Sequence, residues 1–247
     1  MLDRPGATQP WTRRVRDAPR SARTGTVSVV TTRTNGAGPV LDSASLSFAE
    51  DFARLPDPVR QAREDALLAG LNPVSTGVAA ALTFLTKALD AKAVVEIGTG
   101  TGATGLALLS GMDANGVLTS LDTDADWQFE AREAFTRAGL APRRFRLITG
   151  VALDVLPKLQ DGAYDLVLID GDKLEYVEYV AQAVRLLRPG GVLALHDALW
   201  RSRVANPRNE DDEVVIIREA LQAIQSNDAL TPFMIPLGDG LLVAVKG

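Results

Sequence analysis

From residue 92 onward, short runs of apolar and β-branched residues alternate with longer stretches whose apolar positions recur every three or four residues. The runs 92–97, 117–122, 144–149, 164–170 and 191–196 read as strands. The stretches 102–111, 125–138, 151–160 and 173–188 read as the helices between them. Strand–helix–strand alternation implies right-handed crossovers and a parallel sheet covered on both faces. A helix over 211–226 and two strands, 231–236 and 240–246, around Gly238-Asp239-Gly240 close the sheet with a hairpin. The expected fold is therefore α/β: a Rossmann-like, doubly wound, mostly parallel seven-stranded sheet with an antiparallel C-terminal hairpin strand.

Residues 43–90 change the period to helical, with Ser43 and Asp57 as expected N-caps and Pro58 in the first turn of a second helix. A third helix over 75–89 carries Val78, Leu82, Leu85 and Leu89 on one face. Residues 1–40 have no lasting period. There Arg4, Arg13, Arg14, Arg16, Arg20, Arg23 and Arg33 face only Asp3 and Asp17, so a disordered basic tail is expected, with a transit peptide or an arm for an acidic partner as alternatives. The expected division is this tail followed by a single domain over 41–247, made of helices 41–90 and an α/β core 91–247.

Composition narrows the functions. Hydrophobic residues make up 46% and charged residues 23%, and 26 basic against 31 acidic residues leave a net charge of −5. That balance speaks against a nucleic-acid partner. No apolar stretch reaches the roughly 20 residues needed to cross a bilayer, and no basic-then-apolar export pattern is present, so a cytoplasmic protein without a membrane partner is expected. With no cysteine and one histidine, His196, thiol chemistry is excluded and any Ser-His-Asp site would have to centre on that residue.

The first strand runs through Glu96-Ile97 into Gly98-Thr99-Gly100-Thr101-Gly102-Ala103-Thr104-Gly105. Glycines stand where a chain turns sharply and a ligand approaches the backbone. Gly100-x-Gly102-x-x-Gly105 satisfies the dinucleotide spacing, so an NAD(P)-dependent oxidoreductase stays open. The carboxylate of Glu96 would repel a pyrophosphate but tolerate S-adenosylmethionine, which carries no phosphate. Asp122, ending the second strand, suits a ribose under both readings.

The second half carries Ile169-Asp170-Gly171-Asp172-Lys173 with Tyr176, and Arg188-Pro189-Gly190-Gly191 leading to His196-Asp197 and Leu199-Trp200. Together with Glu96-Ile97-Gly98, these motifs make residues 60–247 resemble the S-adenosylmethionine-dependent O-methyltransferases of the catechol and caffeoyl-CoA type. The resemblance implies the class I methyltransferase fold and methyl transfer to a hydroxyl of a small, aromatic acceptor, in a cytoplasmic homodimer. It also implies residue roles. Val74 packs near the cofactor; Glu96, Gly98, Thr99 and Thr104 hold its methionine part; Asp122 takes the ribose and Ala152 lies near the adenine. Asp170 faces cofactor, metal and acceptor, and Asp172 is an acid between cofactor and substrate. Lys173 is the residue that accepts the proton of the acceptor hydroxyl.

The resemblance breaks at strand five, where His196-Asp197 replaces the family's Asp-Asn. Asp170, His196 and Asp197 remain an oxygen and nitrogen donor set that suits Mn, Fe or Zn better than Mg. The same change equally marks loss of the metal, with His196 as a base or as a structural contact. A binding protein with a degenerate methyltransferase site is therefore a further alternative. Trp127 and Trp200 are expected to pack, Trp200 on the acceptor side. The polar run 201–213 is long for a connection and reads as a mobile lid or a solvated loop.

The tail generates a first prediction. Removing residues 1–40 leaves the melting temperature and the affinity for S-adenosylhomocysteine unchanged. A large loss of either, by thermal melt or calorimetry, would make this segment structural.

Overall fold

Local chemistry starts each element of residues 41–247, the residues that the computed structural model describes; the expected tail lies outside them. Helix α1 (Ser43–Glu50) is capped by Asp42, whose Oδ1 accepts from the Ser45 amide at 2.7 Å, so the cap falls one residue before the expected Ser43. In α2 (Asp57–Leu68) Asp57 is the first helical residue and Pro56 precedes it without a side-chain cap. Ser75 caps α3 (Thr76–Ala88), accepting from the Val78 amide at 3.2 Å.

The core follows as β1 (Ala93–Ile97), α4 (Ala103–Gly111), β2 (Val117–Asp122), α5 (Ala125–Arg137), β3 (Phe145–Thr149), α6 (Ala152–Val155), β4 (Tyr164–Ile169), α7 (Tyr176–Leu186), β5 (Leu187–Leu195), α8 (Asp212–Gln225), β6 (Leu230–Ile235) and β7 (Leu241–Lys246). The sheet has seven strands in the order β3-β2-β1-β4-β5-β7-β6. Strands β1 to β5 are parallel, and β7 runs antiparallel between β5 and β6. This is the doubly wound sheet expected from the alternation.

Alternate residues on each central strand face opposite layers. Val94, Leu166, Leu168 and Ala194 join the layer of α2 to α5, whereas Val95, Val167, Ile169 and Leu193 join that of α6 to α8. At the amino-terminal edge of the sheet, Asp165 Oδ2 accepts from the amides of Lys92 and Ala93 at 2.7 and 2.8 Å, and its Oδ1 accepts from Arg188 Nε at 2.7 Å. The Arg-Pro-Gly-Gly motif thus ties β1, β4 and β5 together at their start. It also belongs to β5, which begins at Leu187 where the expected strand began at 191. The expected helix 151–160 is a single turn followed by a 3-10 turn at Leu156–Lys158, where Pro157 removes a donor.

Chain order reverses between β1 and β4, which makes the crevice beyond their carboxyl ends the place where such sheets bind ligands. Gly98 leaves β1 there with φ +99°, and a Cβ on it would stand 2.2 Å from the Asp170 carbonyl oxygen. Backbone conformation and close approach both demand glycine. Gly98→Ala should therefore lower the unfolding free energy by at least ~2 kcal/mol, from left-handed strain plus overpacking. An unchanged denaturation midpoint would contradict this account of the switch point.

Candidate active site

Two adjoining cavities, of about 370 and 350 Å³, open at the carboxyl ends of the central strands and share Gly98, Asp122 and Asp170 as walls. Each is within the range of small-molecule sites. The first is lined by Val74, Thr99, Thr104, Trp127, Lys173, Asp197 and Trp200 among others, the second by Gly150, Ala152, Asp172 and Tyr179 among others. The backbone sets this convergence. The amides of Gly98, Asp170 and His196 donate to the carbonyls of Leu121, Ile97 and Ile169 at 2.8, 2.9 and 3.0 Å, so each side chain leaves its strand at the same level. Of the candidate residues, all but Glu96 and His196 reach a cavity wall. Trp127, expected to pack, also stands on the wall.

Glu96 is fully buried, with no exposed surface, and lines neither cavity. It acts beneath the loop. Ser120 donates to Glu96 Oε2 at 2.6 Å, the Thr99 and Ser120 hydroxyls are 2.6 Å apart, and Gln128 Nε2 donates to Thr99 Oγ1 at 2.9 Å. This chain links β1, β2 and α5 to the second residue of the loop. Sequence reading missed Ser120 and Gln128 because nothing local marks them; only the sheet register places Ser120 opposite Glu96. Burial pushes the Glu96 carboxyl up to about 8; Asp170 and Asp122 add to the rise and the Ser120 bond opposes it. At neutral pH Glu96 is mostly uncharged, so repulsion of a pyrophosphate cannot come from it. The carboxylates that do line the crevice are Asp122, Asp170, Asp172, Glu175 and Asp197.

Asp122 holds the loop from above. Its Oδ2 accepts from the amides of Thr99 and Gly100 at 2.9 and 3.0 Å, and its Oδ1 accepts from the Asp124 amide at 3.0 Å. Two consecutive loop amides are thereby fixed at the mouth of the crevice.

Opposite the loop stands a cluster from β4, β5 and the 3-10 turn Lys173–Glu175. Asp172 caps that turn, accepting from the Leu174 amide at 3.0 Å. The turn aims Lys173 back over the crevice, where Nζ lies 2.6 Å from Asp197 Oδ2 and 4.0 Å from Asp170 Oδ1. The same ammonium lies 5.1 Å from the Trp200 ring centre and 5.5 Å from that of Tyr176. His196 Nδ1 is 2.8 Å from Asp170 Oδ1. Burial of the imidazole opposes its protonation, but Asp170 and Asp197 outweigh that and leave its pKa raised. Asp197 has φ +56°, a left-handed turn that Asp tolerates better than most residues and that carries its carboxylate to Lys173.

The loop after β5, expected as a mobile lid or a solvated loop, is hydrogen-bonded to the body of the fold. The Arg218 guanidinium on α8 donates to the carbonyls of Val204 at 2.9 Å, Asn209 at 2.7 Å, Arg203 at 3.4 Å and, closely, Asn206. The β6–β7 turn holds its start, since Asp239 Oδ1 accepts from the Arg201 amide at 2.6 Å. Trp200, just before this loop, lines the first cavity.

Asp170, His196 and Asp197 place one donor atom each within 4.8 Å of one another, and Asp197 Oδ1 is buried without a hydrogen-bond partner. In donor type this suits a divalent ion. In charge the Lys173 ammonium, which already stands on Asp197, opposes it. Two unit positive charges about 4 Å apart repel by ~4 kcal/mol at an effective dielectric of 20, and a divalent ion doubles that charge. Lys173 in this position competes with a divalent ion for Asp197.

A seven-stranded doubly wound sheet with an antiparallel last strand, and a glycine loop and ribose-type acid at its switch point, define the class I methyltransferase fold. Comparison with known proteins gives the family. Residues 53–247 match the family model described as O-methyltransferase. A protein of Mycobacterium avium named as an O-methyltransferase is 45% identical over 203 residues, covering 82% of this chain and 89% of its own. A crystal structure of a Corynebacterium glutamicum protein aligns with TM-score 0.75 at 30% identity, over 81% of this chain and 94% of that one. An O-methyltransferase of Bacillus cereus, solved in complex with S-adenosylhomocysteine, shares the fold with TM-score 0.73 at 24% identity, over 81% and 96%. The chain belongs to the O-methyltransferase family, a class of S-adenosylmethionine-dependent enzymes.

The buried Glu96 generates a pH prediction. Its folded pKa, about 8, lies above its ordinary 4.5, so the folded state keeps a proton that the unfolded chain loses. Stability from this group is full below the ordinary value, falls by about 1.4 kcal/mol per pH unit as pH rises, and levels off above the folded pKa. Urea unfolding at pH 6 and pH 8 should therefore show a drop in the wild type that Glu96→Gln reduces by about 2–3 kcal/mol. Parallel pH profiles for the two proteins would contradict it.

Proposed function

We propose that this O-methyltransferase transfers a methyl group from S-adenosylmethionine to a hydroxyl of a small aromatic acceptor. The observation that carries the reading is the paired crevice, with loop amides, Asp122 and Ala152 on one wall and Asp170, Lys173 and Trp200 on the other. Asp122 and Ala152 suit a ribose and an adenine edge, and Gly98, Thr99 and Thr104 the methionine part. When bound, the cofactor supplies an electrophilic methyl group on its sulfonium.

The acceptor lies against Trp200 with its hydroxyl toward Lys173. Holding both partners in line supplies several kcal/mol of the barrier. The resemblance gave Lys173 the role of proton acceptor, which requires a free lone pair on its nitrogen. Here that nitrogen is bound to Asp197 at 2.6 Å. We therefore give Lys173 the electrostatic role of donating to the acceptor oxygen as charge develops on it. With the cofactor bound, the acceptor oxygen would take the methyl group as the neutral thioether leaves, and Asp170 would take the hydroxyl proton. The resemblance further supports a cytoplasmic homodimer. The exposed Phe48, Phe52 and Phe84 offer apolar surface on the amino-terminal helices for such a contact, and among the described residues no helix is long and apolar enough to cross a membrane.

The test is ligand binding. S-adenosylhomocysteine should raise the melting temperature where NADH does not. Asp122→Ala should weaken its affinity at least tenfold in calorimetry, since a charge-assisted hydrogen bond contributes about 1.5–3 kcal/mol. Stabilisation by NADH alone, or unchanged affinity in the variant, would overturn the reading.

A further inference from the structure

The second carboxylate of the strand-five pair stands on the second residue, Asp197, and the first residue is the imidazole His196. That exchange has a geometric result. His196 is 4% exposed and turned into Asp170, with Nδ1 2.8 Å from Oδ1. Asp197, one residue on, is swung by its left-handed backbone onto the Lys173 ammonium. The lysine is held there from several sides. Its side chain is 15% exposed, its ammonium lies near the rings of Trp200 and Tyr176, and Nζ is 3.5 Å from the Gly171 carbonyl. Yet the cluster keeps an open donor, because Asp197 Oδ1 is buried, accepts no hydrogen bond among the described residues and has His196 Nδ1 near it, at 3.5 Å.

We propose that Lys173 serves as the built-in cation of this cluster: its ammonium occupies the position beside Asp170 and Asp197 that a divalent ion would take, and so keeps the ion out. Lysine and metal are then mutually exclusive occupants of one carboxylate pair. The acceptor oxygen meets a charge carried by the chain itself. Only this last consequence rests on the methyltransferase reading; the competition itself concerns the cluster alone.

Three donors with an orphaned oxygen should become a working site once the ammonium is removed. The probe is Mn²⁺, titrated into the EDTA-stripped full chain at one fixed neutral pH and followed by electron paramagnetic resonance of the free ion and by calorimetry. Lys173→Met and Lys173→Gln should each bind one Mn²⁺ at least tenfold more tightly than the wild type. Adding His196→Ala to Lys173→Met should abolish the gain, which locates the ion. A wild type that binds one Mn²⁺ as tightly as the variants overturns the proposal, as does failure of both variants to gain affinity. Retained binding of S-adenosylhomocysteine reports that each variant is folded, and one folded variant suffices to decide. Failure of the wild type itself to bind that ligand would strike at the methyltransferase reading and leave the Mn²⁺ comparison standing.

Discussion

The approach of the Gly98 backbone to the Asp170 carbonyl at the switch point is the constraint on which the site depends. It brings the ends of β1 and β4 so close that no side chain fits between them. The two halves of the crevice therefore share one boundary. On one side the loop amides are fixed by Asp122; on the other the chain turns through Asp170 and Asp172 into the short turn that aims Lys173. A wider separation would detach the loop from the cluster that faces it.

Support for the loop is divided between a polar chain below and a carboxylate above. The Glu96–Ser120–Thr99–Gln128 chain is almost wholly buried, where hydrogen bonds are electrostatically stronger and an unpaired group is costly. It leaves Glu96 Oε1 without a partner among the described residues and raises the Glu96 pKa. Asp122 lies nearer solvent and braces the same loop through two amides. The Asp122 carboxylate is thus already oriented by its own loop, which limits the ordering that binding of a ligand there would impose.

The acceptor side is held by contacts distant in sequence. Arg218 on α8 fixes four carbonyls of the loop after β5, and Asp239 in the final hairpin holds the start of that loop. The antiparallel β7 is thus more than an edge of the sheet, because its turn sets where Trp200 stands. The Lys173–Asp197 pair closes the same wall, where Lys173 and Arg201 bring positive charge to a crevice rich in carboxylates.

The order of strands and helices, the glycine turn and the acid ending β2 follow from the sequence alone. Each is a local or periodic signal: alternating buried faces, a turn only glycine can make, a carboxylate one βαβ unit on. The motifs of the second half likewise carried the family. Partner choice among polar side chains was not legible there. Glu96 reads as a ligand anchor beside its loop, but the register of β1 against β2 turns it inward to Ser120. The run 201–213 reads as a free lid because nothing near it in the chain announces Arg218. Lys173 reads as a base from the motif, and the carboxylate that the backbone turn at Asp197 sets beside it is not announced there. Spacing along the chain shows which residues sit at strand ends, whereas the packing of four different elements decides which charges meet, and those meetings set the chemistry.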